Sequence, residues 1–239
     1  MLVIHEIDAS TRVARLRLNR PEARNATSIA LLDAMDQALD AIEAHRETRV
    51  LVLSGEGPVF CAGLDLAEAR ADRSTIFRLL RRLSEVMRRL RRMEQVTIAV
   101  VRGAAIGGGF GFAVVCDFAV THPEAKLGYP PPETGLSPAL MAPWLARRIG
   151  HSATRAMQLK GGTINGNEAL SRGLVSTVVP VSDLDSEAQA LAAHLLRAPE
   201  HASRELKRFL NELDGSIDDA VLDRAADVSA SIIAAAAMR

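Results

Sequence analysis

Two stretches, Phe60–Cys61–Ala62–Gly63–Leu64–Asp65–Leu66 and Gly103–Ala104–Ala105–Ile106–Gly107–Gly108–Gly109, decide how this sequence is read. Each follows a short apolar run, Val50 to Leu53 and Val96 to Val101, of the kind that forms a strand buried on both faces. The second leads into an apolar helix through Val114. Small residues at a strand end let a backbone approach a ligand closely. A helix start adds unpaired N–H groups and a partial positive charge. Two such amides from separate loops can converge on one carbonyl oxygen as an oxyanion hole, while each loop alone also reads as a tight turn. A dinucleotide fingerprint does not fit, because Phe112 stands where G-x-G-x-x-G needs its last glycine and no phosphate-loop lysine follows.

Working outward, Leu2 and Ile4, then Val13, Leu16 and Leu18, flank the turn-forming Asp8–Ala9–Ser10–Thr11 and predict a hairpin. Ser28 is a candidate N-cap for a helix carrying Ile29, Leu32, Met35, Leu39 and Ile42. A second helix is expected from Ser74 to Met93, with Phe77, Leu80, Leu83, Met87 and Leu90 on its apolar stripe. Phe118 to Val120 reads as a further strand. Beyond Pro138 the pattern is mainly helical, interrupted by one short strand within Leu174 to Val179. Strands alternating with helices and then a run of helices predict an α/β core with a helical C-terminal part, divided here as 1–180 and 181–239. The alanine-rich stretch from Ile232 to Met238 is left open as helix or frayed tail.

Composition narrows the function classes. The 239 residues carry 29 basic and 29 acidic side chains, so the total charge gives no reason to expect a nucleic-acid or membrane partner. Cys61 and Cys116 have neither disulfide-framework nor metal-ligand spacing, and suit a reducing cytoplasm. The N-terminal 20 residues contain Glu6, Asp8 and several arginines where a signal peptide needs an apolar run. A soluble cytoplasmic protein is expected. Six scattered histidines show no metal-ligand spacing, and no metal or separate cofactor is expected.

Five ordered motifs carry a resemblance. Asn19–Arg20–Pro21–Glu22–Ala23–Arg24–Asn25–Ala26 is similar to an N-R-P-x-x-x-N-A entry, and Phe60 to Asp65 to an F-C/S-A-G-x-D loop. Gly103 to Asp117 resembles G-x-A-x-G-G-G-x-x-x-x-x-x-C-D. Lys126 to Pro138 has the spacing of K-F-G-x-P-E-x-x-x-G-L-x-P, and Leu159 to Pro180 resembles L-T-G-x-x-I-x-A-x-E-A-x-x-x-G-L-V-x-x-V-V-P. Over roughly residues 2 to 215 the chain is thus identified as a member of the crotonase (enoyl-CoA hydratase/isomerase) superfamily. That resemblance implies a ClpP/crotonase-like ββα spiral with a C-terminal helical region for assembly into a homotrimer or hexamer. It also implies oxyanion amides at Ala62 and Gly108, a coenzyme A path along Ala62, Leu64 and Leu66, and Arg24 near the CoA phosphates. CoA enters as part of the acyl-CoA thioester substrate. Asp65 and Asp117 are expected to hold loops together by capping backbone N–H groups.

The family pattern breaks at its proton-transfer groups. Gly111 and Pro131 stand at the two positions where the resemblance places the hydratase glutamates, and neither moves a proton. Ala139 stands where some isomerases and dehalogenases carry a carboxylate. Glu133, two residues past the second gap, is the candidate substitute if an extended path through Pro130–Pro131–Pro132 swings it inward, while on its own it also reads as a solvated loop residue. Tyr129 is a second candidate for the same wall. The leading expectation is therefore enolate stabilisation leading to hydration or double-bond migration. The alternatives are a decarboxylase or another lyase, and a non-catalytic CoA- or RNA-binding protein of the same fold. The arginines between Arg78 and Arg92 are expected to be a solvated face, since they point around the helix and lack interleaved aromatics.

Overall fold

The N-terminal turn closes as its polar cluster requires. In the computed structural model, which describes residues 1–130, 132–136 and 138–236, Asp8 Oδ1 accepts from the amides of Ser10 at 3.0 Å and Thr11 at 3.2 Å. β1 (Val3–Asp8) and β2 (Val13–Leu18) therefore pair antiparallel. Ser28 caps α1 (Ile29–Ala44) by accepting from Leu31 N at 3.1 Å. β3 (Val50–Gly55) then leads through the first loop to the single turn α2 (Leu66–Ala69), capped by Asp65, and on to α3 (Arg73–Arg92). β4 (Val96–Val101), β5 (Ala104–Ile106), α4 (Gly108–Val115), β6 (Phe118–Thr121) and β7 (Lys126–Gly128) follow. The remainder is α5 (Ala142–Ile149), α6 (His151–Lys160), β8 (Thr163–Ile164), α7 (Gly166–Ser171), β9 (Thr177–Val178), α8 (Leu184–Leu195), α9 (Glu200–Leu213) and α10 (Asp219–Ala236).

The main sheet has the order β1-β2-β3-β4-β6-β9 and is parallel from β2 onward. Side chains alternate across it, as strand geometry demands. Ala99 and Val101 of β4 join the principal core under α1, α3 and α4, while Ile98 and Val100 join a smaller cluster under α8. The principal core runs without a break from Val3 to Ala234 of α10. Its filling is aliphatic, with Leu, Ile, Val and Met predominating over Phe60, Phe110 and Phe112. Each fully buried Leu or Ile contributes about 1.5–3 kcal/mol. The end of the chain is helical as far as Ala236; residues 237–239 lie outside the described residues.

A second sheet, β5-β7-β8, was not anticipated from sequence. Its strands have two or three residues each, too short for alternation to register, and β5 sits inside what reads as a glycine turn. The expected strand within Leu174 to Val179 shrinks to Thr177–Val178 for the same reason. Among the described residues no helix is long and apolar enough to cross a membrane.

Candidate active site

The two glycine-bearing loops are hydrogen-bonded to each other. Cys61 N donates to Ala104 O at 3.1 Å and Ile106 N donates to Cys61 O at 3.0 Å, a parallel bridge between loop one and β5. Gly63 and Gly107 make the approach possible. A Cβ on Gly63 would stand 2.7 Å from Ile106 O, and the two residues have φ of +91° and +53°, where side chains are disfavoured. Gly107 N donates to Gly128 O at 2.8 Å, which pins the start of α4 to the end of β7.

Beside this seam lies a cavity of about 320 Å³. Its lining includes Arg24, Ala62, Leu64, Leu66 and Gly108, so all the residues expected at an acyl-CoA path except Glu133 come together here. Leu80 and Leu83 of α3, Tyr129, Leu140, Met141 and Ile233 of α10 complete the far wall. Ile233 was not foreseen from sequence. Nothing local marks it, because α10 reaches the site by packing on α3 and α5 and through bonds such as Leu140 N to Ser229 Oγ at 2.7 Å, all distant along the chain.

Three expectations change. The Ala62 amide donates to Arg24 O at 3.0 Å, so it is not free for a ligand. The free amide of this loop is that of Leu64. Thr27 N donates to Gly63 O at 2.7 Å and Asp65 N donates to Thr27 O at 2.9 Å, so the Leu64 amide between them turns the other way. It has no hydrogen-bond partner among the described residues, nor does the Gly108 amide at the first position of α4. The left-handed φ of Gly63 sets this alternation, and spacing alone does not reveal it.

Glu133 is the second correction. It is exposed and outside the cavity lining, because Pro132–Thr134 coils into a 3-10 turn rather than continuing an extended path. Pro131, the second glutamate gap, lies outside the described residues. The first gap, Gly111, is described and buried. A Cβ there would meet Met141 Sδ at 2.7 Å and Met87 Cε at 2.9 Å, so thioethers fill the space a longer side chain would need. Third, the arginines of α3 are not a solvated face. Arg82 binds Asp33 and Asp36 at 2.8 Å, Arg88 binds Asp219 at 2.9 Å and Asp223 at 3.0 Å, and Arg81 grips Asp227. Arg89 pairs with Asp36, Asp40 and Glu43, Arg91 with Asp214, and Arg92 with Asp219. Six of the seven arginines between Arg78 and Arg92 thus clamp α3 to α1 and to the C-terminal segment, which removes the basis for an RNA surface there.

The electrostatics of the site are sparse. Arg24 is exposed at the cavity and has no ion-pair partner among the described residues. Asp65 takes Arg20 at 2.9 Å and caps α2 through Ala67 N at 3.1 Å. Burial alone would raise its carboxyl, but these bonds more than offset that and hold it below the ordinary carboxylate range. Burial pushes the Cys61 thiol up to about 12, so it is a neutral packing group rather than a nucleophile. Asn25, left without a role by sequence reading, fastens the entry turn. Its Oδ1 accepts from Arg20 N at 2.8 Å, and its Nδ2 donates to Glu56 O at 3.0 Å and to Val59 O at 2.8 Å.

The family model for enoyl-CoA hydratase/isomerase matches residues 8–238. The chain belongs to that family. A putative enoyl-CoA hydratase of Thermus thermophilus is 35% identical over 209 residues, covering 85% of this chain and 82% of that protein. Pseudomonas aeruginosa AtuE superposes with a TM-score of 0.84 at 32% identity, covering 94% of this chain and 90% of that one. Human mitochondrial delta3-delta2-enoyl-CoA isomerase does so with a TM-score of 0.88 at 26% identity, covering 98% and 92%. The architecture is accordingly the crotonase fold, with the two glycine loops at its centre.

Proposed function

We propose that this protein binds acyl-CoA thioesters and stabilises a thioester enolate with the backbone amides of Leu64 and Gly108. The observation that carries this reading is the pair of amides, unpartnered among the described residues, on two hydrogen-bonded loops beside an acyl-sized apolar cavity. Such donors act on charge that develops at the carbonyl oxygen, and each is worth about 3–4 kcal/mol of barrier. Arg24 at the cavity, without an acidic partner among the described residues, suits the CoA phosphates, and Leu66, 40% exposed, suits the pantetheine arm. The expected result is a lowered carbonyl stretching frequency when carbonyl-labelled acetyl-CoA binds, read by isotope-edited infrared spectroscopy. An unshifted band in the saturated complex rules out the oxyanion role while leaving CoA binding intact.

A second reading within the family, a lyase that needs no carboxylate pair, is favoured by Gly111, whose surroundings are filled by Met87 and Met141. Self-association belongs to the same proposal. Leu206, Phe209, Leu210 and Leu213 recur at helical spacing on α9 and are 59, 56, 45 and 70% exposed, an apolar stripe suited to a second copy of the chain. Sedimentation velocity should show a homotrimer or hexamer, with Phe209→Glu/Leu213→Glu dissociating it. Monomeric wild-type protein at micromolar concentration removes the assembly proposal.

A further inference from the structure

We propose that the recess between the last turn of α5 and the α9–α10 turn binds a small monovalent anion of the halide class, chloride above all. Its lining shares no residue with the acyl cavity, so the site stands whether or not the acyl-CoA reading does.

The donors come from one helix face. Trp144, Arg147 and Arg148 stand at i, i+3 and i+4 on α5, which sets them side by side. All three line a recess of about 40 Å³, together with Arg91 from the last turn of α3 and the apolar Val114 and Val115. Trp144 is 3% exposed, yet its indole N–H has no acceptor. The Arg147 guanidinium lies 5.1 Å over the indole ring. It gives Nε to Asp214 O at 2.8 Å and Nη2 to Gly215 O at 2.5 Å, which leaves its buried Nη1 unused. Arg148 directs Nε and Nη1 to the carbonyls of Gly173, Cys116 and Asp117, and its Nη2 has no hydrogen-bond partner among the described residues.

Charge is short of balance here. The lining holds three guanidiniums and one carboxylate, Asp214. That carboxylate is engaged on both oxygens. Oδ2 accepts from Arg91 Nη2 at 2.6 Å, and Oδ1 accepts from the amide of Ser216 at 2.8 Å and from its hydroxyl. Asp117, 3.5 Å from Arg91, is held at its other oxygen by Lys207. Burial pushes the pKa of Arg147 and of Arg148 below the guanidinium range, for Arg147 against the pull of Asp214 and Asp218, and Arg91 adds to the lowering at both.

The unused groups are all donors, since neither indole nor guanidinium has an acceptor. A water accepting from them brings further hydrogens into a lining whose carboxylate is already engaged, whereas an anion accepts from every donor and offsets the charge. Size sets the class. A water-sized body needs roughly 10–15 Å³ on the same measure, so the recess admits a monatomic anion with little solvent and no ligand tail. Bound there, the ion ties α5 to α3 and to the α9–α10 turn. Because α5 begins directly after Met141 of the acyl cavity, the ion braces the helix that follows that wall.

Trp144 is the single tryptophan of the chain and reports on the recess directly. Wild-type protein in sodium gluconate, whose anion is too large to enter, is titrated with iodide at constant ionic strength. Indole emission should be quenched along a saturating curve, and chloride should restore it competitively. Arg148→Met keeps the indole and removes one charge. It should raise the half-saturating iodide concentration by about 10–100-fold, as for loss of a hydrogen bond to a charged group, while quenching by neutral acrylamide stays unchanged. Quenching that rises linearly with iodide and is untouched by chloride overturns the inference. So does an Arg148→Met protein whose half-saturation moves by less than about threefold. Should that variant fail to fold, bromide-soaked crystals of the wild-type protein decide. An anomalous bromide peak in the recess is the expected result, and its absence at saturating bromide overturns the site.

Discussion

Asp117→Ala is expected to lower stability by about 3–5 kcal/mol, the range for breaking a buried ion pair by removing one partner. Lys207, 6% exposed, places its Nζ 2.7 Å from Asp117 Oδ2 and 2.6 Å from Gln95 O. The same carboxylate oxygen accepts from Thr97 N at 2.8 Å and from Thr97 Oγ1 at 3.0 Å, joining α9 to the start of β4. Without Asp117 the ammonium keeps one carbonyl and a buried backbone N–H loses its acceptor. The midpoint of thermal unfolding should fall by roughly 6–20 °C for a chain of this size. Lys207→Met combined with Asp117→Ala should recover much of the loss, since no isolated charge then remains. A loss below about 1 kcal/mol in the single variant means that water reaches the pair.

Gly111→Glu, which returns a glutamate to the first vacant position, is expected to destabilise the protein and to confer no hydration of crotonyl-CoA. The new Cβ alone would stand 2.7 Å from Met141 Sδ and 2.9 Å from Met87 Cε. Both are flexible side-chain ends, so the protein can yield, at the roughly 1–3 kcal/mol typical of overpacking. The carboxyl would then sit among thioethers and leucines, with its pKa raised and its charge suppressed. Adding Met141→Ala should relieve the crowding, but hydration also needs a second proton-transfer group, and Glu133 is exposed on its 3-10 turn. Loss of enone absorbance reports the outcome. Rapid hydration by the single variant means that the methionines yield fully and that another group completes the pair.

Much of this protein could be read from its sequence because the signals were local or repeated. The hairpin, the Ser28 cap, the buried parallel strands and the helices between them follow from alternation, helical spacing and turn chemistry over six or more residues. Five ordered motifs placed the chain in the crotonase superfamily and brought Arg24, Leu64, Leu66 and Gly108 to one cavity. Gly111 was legible as a missing carboxylate, since a glycine has no proton to move wherever it lies.

Tertiary structure decided the rest, for reasons that act across the chain. Which amide of Ala62–Gly63–Leu64 is free depends on the φ of Gly63 and on Arg24 and Thr27, 36 to 38 positions earlier. The pairing of the α3 arginines depends on acidic side chains of α1 and α10, elements with no sequence proximity to them. Glu133 turned outward because three residues coiled where prolines suggested extension. Sequence determined which chemistry was available; the fold decided which groups face the cavity, because that depends on backbone direction and on partners distant along the chain.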